Sequence, residues 1–254
     1  MKTIIDGAKQ LLIESIEMID SAANDVIIVG GWGPYIRHQD IHPGTKDVDL
    51  LFPTFYSKED IAKILEKFLE NGFFLSAKHD FQLCRCYKIG NRSYIYNVDL
   101  LHPVFGKINK VDFVEIMDLD ISVDGIKVKK INTINIQYGD VMYDQKLYEE
   151  CEFQGKKFNV LDASGIIISK IDSCNNRKRE RDIFDIYLSL QEKDVVEKLK
   201  YLVKLNSSLG DAFDKHTLNF DKNWDFYTEA IKKFDNERDI DRNLLSMSFL
   251  NTFD

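Results

Sequence analysis

Asp47 and Asp49 stand two residues apart in Thr45-Lys46-Asp47-Val48-Asp49-Leu50-Leu51-Phe52, a run of strand character. The pattern predicts a strand over 47–52. Side chains on a strand alternate faces, so the two carboxylates point one way and Val48 and Leu50 the other. Aspartate is depleted in strands, and two like charges on one face are costly unless a cation sits between them. Two hard oxygen donors suit Mg²⁺, which keeps waters and substrate phosphates as its other ligands. Just upstream, Val26-Ile27-Ile28-Val29 reads as a buried β-branched strand ending in Gly30-Gly31. A glycine pair lets the backbone approach phosphates closely. A third carboxylate, Asp99, falls on a strand predicted over 93–101, where it shares a face with Ile95 and Asn97. These residue types at this spacing point to metal-assisted chemistry on a nucleotide.

A second group lies far downstream. Lys170 is followed by Arg177-Lys178-Arg179-Glu180-Arg181-Asp182-Ile183-Phe184-Asp185. Helical periodicity places Lys170 on a helix that starts at an Asp162 cap and ends near 175–176, and places the aspartates on a second helix over 180–191. Three residues apart, Asp182 and Asp185 face the same side of it. Basic residues of this kind neutralise charge beside a triphosphate; the plainer reading is a solvated loop with surface ion pairs. Arg37 and Lys46 flank the first group and are candidates for phosphate contact. The histidines at 38, 42, 79, 102 and 216 show no metal-ligand spacing, which argues against zinc.

The elements that must position these residues follow from periodicity. A helix is predicted over 3–23, another after a Ser57 cap with Ile61, Ile64, Leu65, Phe68 and Leu69 as its buried stripe, and a short one over 35–39 after Pro34. Strands are predicted over 73–78 and 81–89, with a Gly90-Asn91 hairpin turn leading into the strand that carries Asp99. A further hairpin spans 121–131 with Asp124-Gly125 as its turn, and residues 132–160 show no clear period. From Asp162 onward the pattern is helical, through a third helix over 195–205 and an aromatic tail with Phe213, Trp224, Phe226 and Phe234. The expectation is an α/β (α+β) N-terminal domain over 1–158 and a helical domain over 159–254.

Composition sets limits. A net charge of −8 excludes a nucleic-acid surface covering the whole protein, though a local basic patch remains compatible with it. The cysteines at 84, 86, 151 and 174 form no C-x-x-C pair and fit reduced thiols in a cytoplasmic protein. No apolar run reaches the length of a membrane span, and the first ten residues lack a signal-peptide core.

The order of apolar strand, Gly30-Gly31, Asp47-x-Asp49 and a later lone Asp99 resembles the nucleotidyltransferase superfamily, whose catalytic domain has a polymerase-β-like mixed sheet. The resemblance covers about residues 25–101, and Thr45-Lys46-Asp47-Val48-Asp49 is similar to the family's T-x-D-x-D box. It implies that Asp47, Asp49 and Asp99 hold two Mg²⁺ ions, with Mn²⁺ as an alternative, that clamp an NTP for in-line displacement. It implies that Asp99 also helps deprotonate an acceptor hydroxyl. The nucleotide would be bound by Gly30, Gly31, Trp32, Thr45, Lys46 and Lys170. One departure is Trp32, which stands where many members carry Ser or Thr, as in a Gly-Gly-Trp subset.

The downstream order of Lys170 and Arg-Asp-x-x-Asp resembles AbiEii-like nucleotidyltransferase toxins of type IV toxin–antitoxin systems. That resemblance implies nucleotide contact by Lys170, an essential role for Asp182 or Asp185, tRNA or protein as acceptor, and a cognate antitoxin as partner. An alternative expectation is an aminoglycoside or lincosamide nucleotidyltransferase with a small-molecule acceptor, since an acidic protein suits a cationic one. A further alternative is a non-catalytic nucleotide-binding regulatory module, against which all three carboxylates count.

Overall fold

A computed structural model describes residues 1–20, 25–76, 78–103, 119–123, 126–131, 133–177, 180–237 and 239–250. Helix α1 (Ile4–Asp20) forms because Ala8, Leu11, Leu12, Ile16 and Ile19 recur at three- and four-residue spacing, and all are buried. Thr3 and Asp6 cap its start reciprocally: the Asp6 carboxylate accepts from the Thr3 amide and the Thr3 hydroxyl from the Asp6 amide. The predicted extension to residue 23 lies outside the described residues.

Strand β1 (Ile27–Val29) is wholly buried. Helix α2 (Trp32–Arg37) starts directly after Gly31, three residues before the predicted 35. Strand β2 is confined to Val48–Leu51 rather than 47–52, so Asp47 precedes it. Helix α3 (Lys58–Glu70) begins at Ser57 in a complete capping box with Asp60. After it come β3 (Phe74–Leu75), shorter than the predicted 73–78, then β4 (Gln82–Ile89) and β5 (Arg92–Pro103). The later hairpin is β6 (Leu119–Val123) and β7 (Ile126–Ile131), a separate two-stranded sheet; its predicted turn at Asp124-Gly125 lies outside the described residues. The stretch without a clear period contains β8 (Ile134–Ile136), α4 (Gly139–Asp144), β9 (Tyr148–Phe153) and β10 (Lys156–Leu161).

The main sheet is mixed, in the order β3-β4-β5-β2-β1-β10-β9, with β8 beside β5. Strand β5 is parallel to β2 and β8, and β1 to β10; the β1–β2, β3–β4 and β4–β5 pairs are antiparallel. Val48, Leu50, Leu83, Val98 and Leu100 are fully buried on one face, where α1 packs across β2, β4 and β5. Strand alternation therefore turns Asp49 and Asp99 to the opposite face.

Two compact units emerge, residues 1–32 with 44–160, and residues 33–43 with 161–254. The second is helical: α5 (Ala163–Arg177), α6 (Glu180–Ser189), α7 (Val195–Leu205), α8 (Ser207–Lys222), α9 (Trp224–Lys232) and α10 (Arg242–Ser246), followed by a 3₁₀ turn over Ser248–Leu250. Asp162 accepts from the Gly165 amide at 2.8 Å, the cap expected for α5. Ile167, Ile171, Phe184, Ile186, Phe213 and Phe220 form the core. The segment 33–43 falls with these helices, a placement that no local pattern in the sequence announces. Among the described residues no helix is long and apolar enough to cross a membrane.

Candidate active site

Two strand pairings assemble the carboxylates. Parallel β2 and β5 set Asp49 directly opposite Asp99, and antiparallel β1 sets Val29 opposite Asp49. The chain leaves β1 through Gly30, whose φ of +72° favours glycine. A Cβ at Gly30 would collide with Asp49 Oδ2. The first glycine is thus favoured by its backbone conformation, and any side chain there would have to displace the Asp49 carboxylate.

Asp47 lies before β2, so the pleat alone does not orient it. Two contacts do. Trp32 Nε1 donates to the Asp47 carbonyl at 2.9 Å, and Asn97 Nδ2 reaches Asp47 Oδ1 at 3.4 Å. Trp32 is only 1% exposed, with its ring 6.2 Å from that of Phe153. Trp32 is therefore a buried anchor for the backbone of the Asp47-x-Asp49 stretch. Of its neighbours, Gly31 and Thr45 are buried and Lys46 is exposed.

Asp99 is half-buried, and Gln82 Nε2 donates to its Oδ1 at 2.7 Å. Burial pushes the Asp99 carboxyl above the usual range. The Gln82 bond opposes that, the Asp47 charge adds to it, and His79 opposes it weakly. Among the described residues no group of three or more Asp, Glu, His or Cys side chains converges as a metal site. The donor chemistry nonetheless fits a hard divalent cation: carboxylate oxygens in register on neighbouring strands, with Asp99 raised partly by another carboxylate.

The second group is built differently. Lys170 Nζ on α5 lies 2.8 Å from Asp182 Oδ1 and 2.9 Å from Asp185 Oδ2 on α6. Ser173 also donates to Asp182. His42 Nε2 meets Asp185 Oδ1 at 2.8 Å with both side chains fully buried, and the His42 ring stacks on Phe184. Burial would push Lys170 down, but the Asp185 and Asp182 charges more than reverse this and hold it above the usual range. Burial would raise Asp185, and Lys170 and His42 hold it below the usual range instead. The two aspartates share one side of α6, as their spacing requires, and that side faces a lysine. The side chains of 176–179 lie outside the described residues, which takes in Arg177, Lys178 and Arg179 of the basic run. Arg37 donates to the carbonyls of Gly33 and Leu161 at 3.0 and 2.9 Å, which makes it a backbone tie.

Four residues contact these sites without being candidates in the sequence: Gln82, Asn97, His42 and Ser173. Asn97 was within reach, being two residues from Asp99 on the same face. Gln82 was too. A two-residue turn at Gly90-Asn91 pairs Ile89 with Arg92, and counting back along the hairpin brings Gln82 opposite Asp99. His42 carries no such signal, because its partner is 143 residues away.

No protein-family model matches the chain, and no curated protein matches it in sequence. Among solved structures it is similar to an antigenic nucleotidyltransferase-like protein from Paracoccidioides brasiliensis, at 18% identity and a TM-score of 0.40 over 82% of this chain and 92% of that one. It is also similar to the antibiotic-resistance factor ANT(2'')-Ia in a solution structure, at 14% identity and a TM-score of 0.44 over 82% and 97% of the two chains. A crystal structure of ANT(2'')-Ia in complex with adenylyl-2''-tobramycin gives 13% identity and a TM-score of 0.44 over 81% and 98%.

Proposed function

We propose that the chain is a nucleotidyltransferase that moves an NMP from an NTP to a hydroxyl acceptor with Mg²⁺, for which Mn²⁺ can substitute. The observation that carries this reading is Asp49 opposite Asp99 on parallel strands, with Gly30 packed against the Asp49 carboxylate. Asp47, Asp49 and Asp99 would hold the metal, which when bound supplies charge stabilisation on the triphosphate. Gly30 and Gly31 let the backbone approach the phosphates. Trp32 keeps the Asp47 backbone in place. Thr45 and Lys46 complete the nucleotide site, Lys46 through its exposed ammonium.

Asp99 Oδ2 takes the acceptor's hydroxyl proton, a role suited to a carboxylate held above its usual range. The acceptor oxygen bonds to the α-phosphorus, the bond from that phosphorus to the bridging oxygen breaks, and pyrophosphate leaves. Lys170, Asp182 and Asp185 brace the helical unit in this reading rather than touching nucleotide, because their charges already meet one another.

For the acceptor, the net charge of −8 favours a cationic small hydroxyl compound over polyanionic tRNA. A toxin-like enzyme acting on tRNA or protein, with an antitoxin partner, is the competing reading, supported by the Lys170 and Arg-Asp-x-x-Asp order. All four cysteines are free, which suits a cytoplasmic setting. The test is incubation with Mg²⁺ and each labelled NTP, together with total tRNA or a panel of aminoglycosides and lincosamides. Label in a cationic small molecule supports the acceptor assignment, and label in tRNA alone overturns it. Tight Mg-NTP binding without transfer to any acceptor would point to a regulatory module.

A further inference from the structure

The sheet face that carries Asp99 continues onto β4, and the residue directly opposite Asp99 there is Gln82. We propose that Gln82 is a positioning residue for the transfer reaction: by donating to Asp99 Oδ1 it fixes that carboxylate's orientation and offers Oδ2 to metal and acceptor. The inference rests on the nucleotidyltransferase reading and assigns a task to a residue outside the metal-binding set.

The geometry supports it in three ways. The bond is short, at 2.7 Å, and its donor stands on an immobilised backbone. The Ser76 amide donates to the Gln82 carbonyl, and the Leu100 amide to the Phe81 carbonyl, each at 3.0 Å. Second, the donor is neutral. A lysine or arginine here would neutralise Asp99 and compete with a divalent cation; an amide orients the carboxylate and leaves its charge in place. Third, Asp47 is treated alike, with Asn97 Nδ2 directed at its Oδ1. The Asn97 oxygen accepts from Cys84 Sγ at 3.5 Å, so both ends of the amide have a partner. Sheet integrity does not need the Gln82 side chain, because the β4–β5 ladder runs unbroken through Ile89–Arg92.

The experiment uses the full chain and the variants Gln82→Leu, Gln82→Asn and Gln82→Glu, with Asp49→Asn as reference. Mn²⁺ binding is measured by calorimetry without nucleotide, kcat and NTP KM are measured separately, and each variant is melted. Gln82→Leu is expected to weaken Mn²⁺ binding and lower kcat, each by roughly 10–100-fold, as loss of a ligand's hydrogen-bond partner does. NTP KM should stay within about twofold, since uniform substrate binding is untouched, and Tm should hold. Gln82→Asn, which keeps the donor, should recover part of both losses. Gln82→Glu, which sets a carboxylate opposite a carboxylate, should be at least as impaired as Gln82→Leu.

Wild-type Mn²⁺ affinity and kcat in Gln82→Leu overturn the proposal, as does an activity loss that merely follows a fall in Tm. If Gln82→Leu fails to fold, the near-isosteric Gln82→Glu decides in the same assays. Mn²⁺ binding that depends on both Asp49 and Gln82, with no transfer to any acceptor, overturns the nucleotidyltransferase reading and leaves the positioning role standing. A wild-type chain that binds no Mn²⁺ overturns both.

Discussion

Two charged clusters, one in each unit, are built on opposite principles. At the sheet, Asp47, Asp49 and Asp99 bring like charges onto one face, half-exposed, and burial together with Asp47 pushes Asp99 up. In the helical unit, Lys170, Asp182, Asp185 and His42 bring unlike charges together in the interior, and the pairing holds the Asp185 carboxyl down. Removing a member of a buried, compensated set leaves a stranded charge and costs stability. A gathered, partly exposed set of like charges does the reverse: it is a liability to the fold that makes sense where a cation is to be bound. The contrast supports the proposal that chemistry belongs to the sheet cluster and bracing to the helical one, although both carry aspartates of similar appearance in sequence.

The sharpest way to break this contrast is Asp49→Asn. Transfer to the productive acceptor should fall by ~10²–10³-fold or more, with Tm unchanged or slightly raised as a like charge is lost. Full transfer with a collapsed melting curve would reverse the assignment.

Lys170→Met tests the other side. It strands two buried carboxylates, and urea denaturation should show a loss of about 3–5 kcal/mol. At ~2–4 °C per kcal/mol for a chain of this size, the melting curve should move visibly. Any residual folded fraction should keep NTP affinity near that of wild type; a selective rise in NTP KM at full stability would instead return Lys170 to the nucleotide.

The same pair of variants sharpens the contrast through pH. Asp185 has a folded pKa below its unfolded 3.8, so its stabilisation is present above that pH and is lost as pH falls through the folded value. Lys170 has a folded pKa above its unfolded 10.5, so its stabilisation is present below that pH and is lost as pH rises through the folded value. The stability gap between wild type and Lys170→Met, followed by chemical denaturation, should therefore be widest near neutral pH and narrow at both extremes.

Trp32→Phe gives the smallest effect. It keeps most of the buried ring and removes the donor to the Asp47 carbonyl. A loss of about 1 kcal/mol in stability, with a transfer deficit larger than that stability loss explains, would mark Trp32 as the anchor of the aspartate motif. Equal deficits would reduce it to core packing.

Much of the candidate site was legible in the chain. Helices α1, α3, α5 and α7 announce themselves by a 3.6-residue period, α3 and α5 also by their caps at Ser57 and Asp162, and β1 by a β-branched run, β2 and β5 by strand-like apolar alternation. The period-2 rule put Asp99 on the face it occupies. Asp47 was misplaced onto the strand because the apolar pattern does not show where ladder bonds begin. Strands β8, β9 and β10 were missed because short, mixed segments take their conformation from neighbours rather than from local preference. The departure at Trp32 was visible, but its reason was not, since the carbonyl it holds lies fifteen residues on.

The sequence by itself determined the candidate residues and, for Asp49 and Asp99, which way they face, because strand alternation, helix spacing, capping and the two-residue hairpin are properties of a few neighbouring residues. It therefore determined a Gly30-Gly31 turn, an Asp-x-Asp box, a third carboxylate on a matching face, and two aspartates on one side of a helix. Only the tertiary structure decided which strands are neighbours, and hence that Asp49 stands opposite Asp99. Only it decided that Lys170, Asp182 and Asp185 close on one another with His42 from a distant loop. Those pairings are chosen by burial of the whole apolar core and by compensation of charge across more than a hundred residues, and no local period records either.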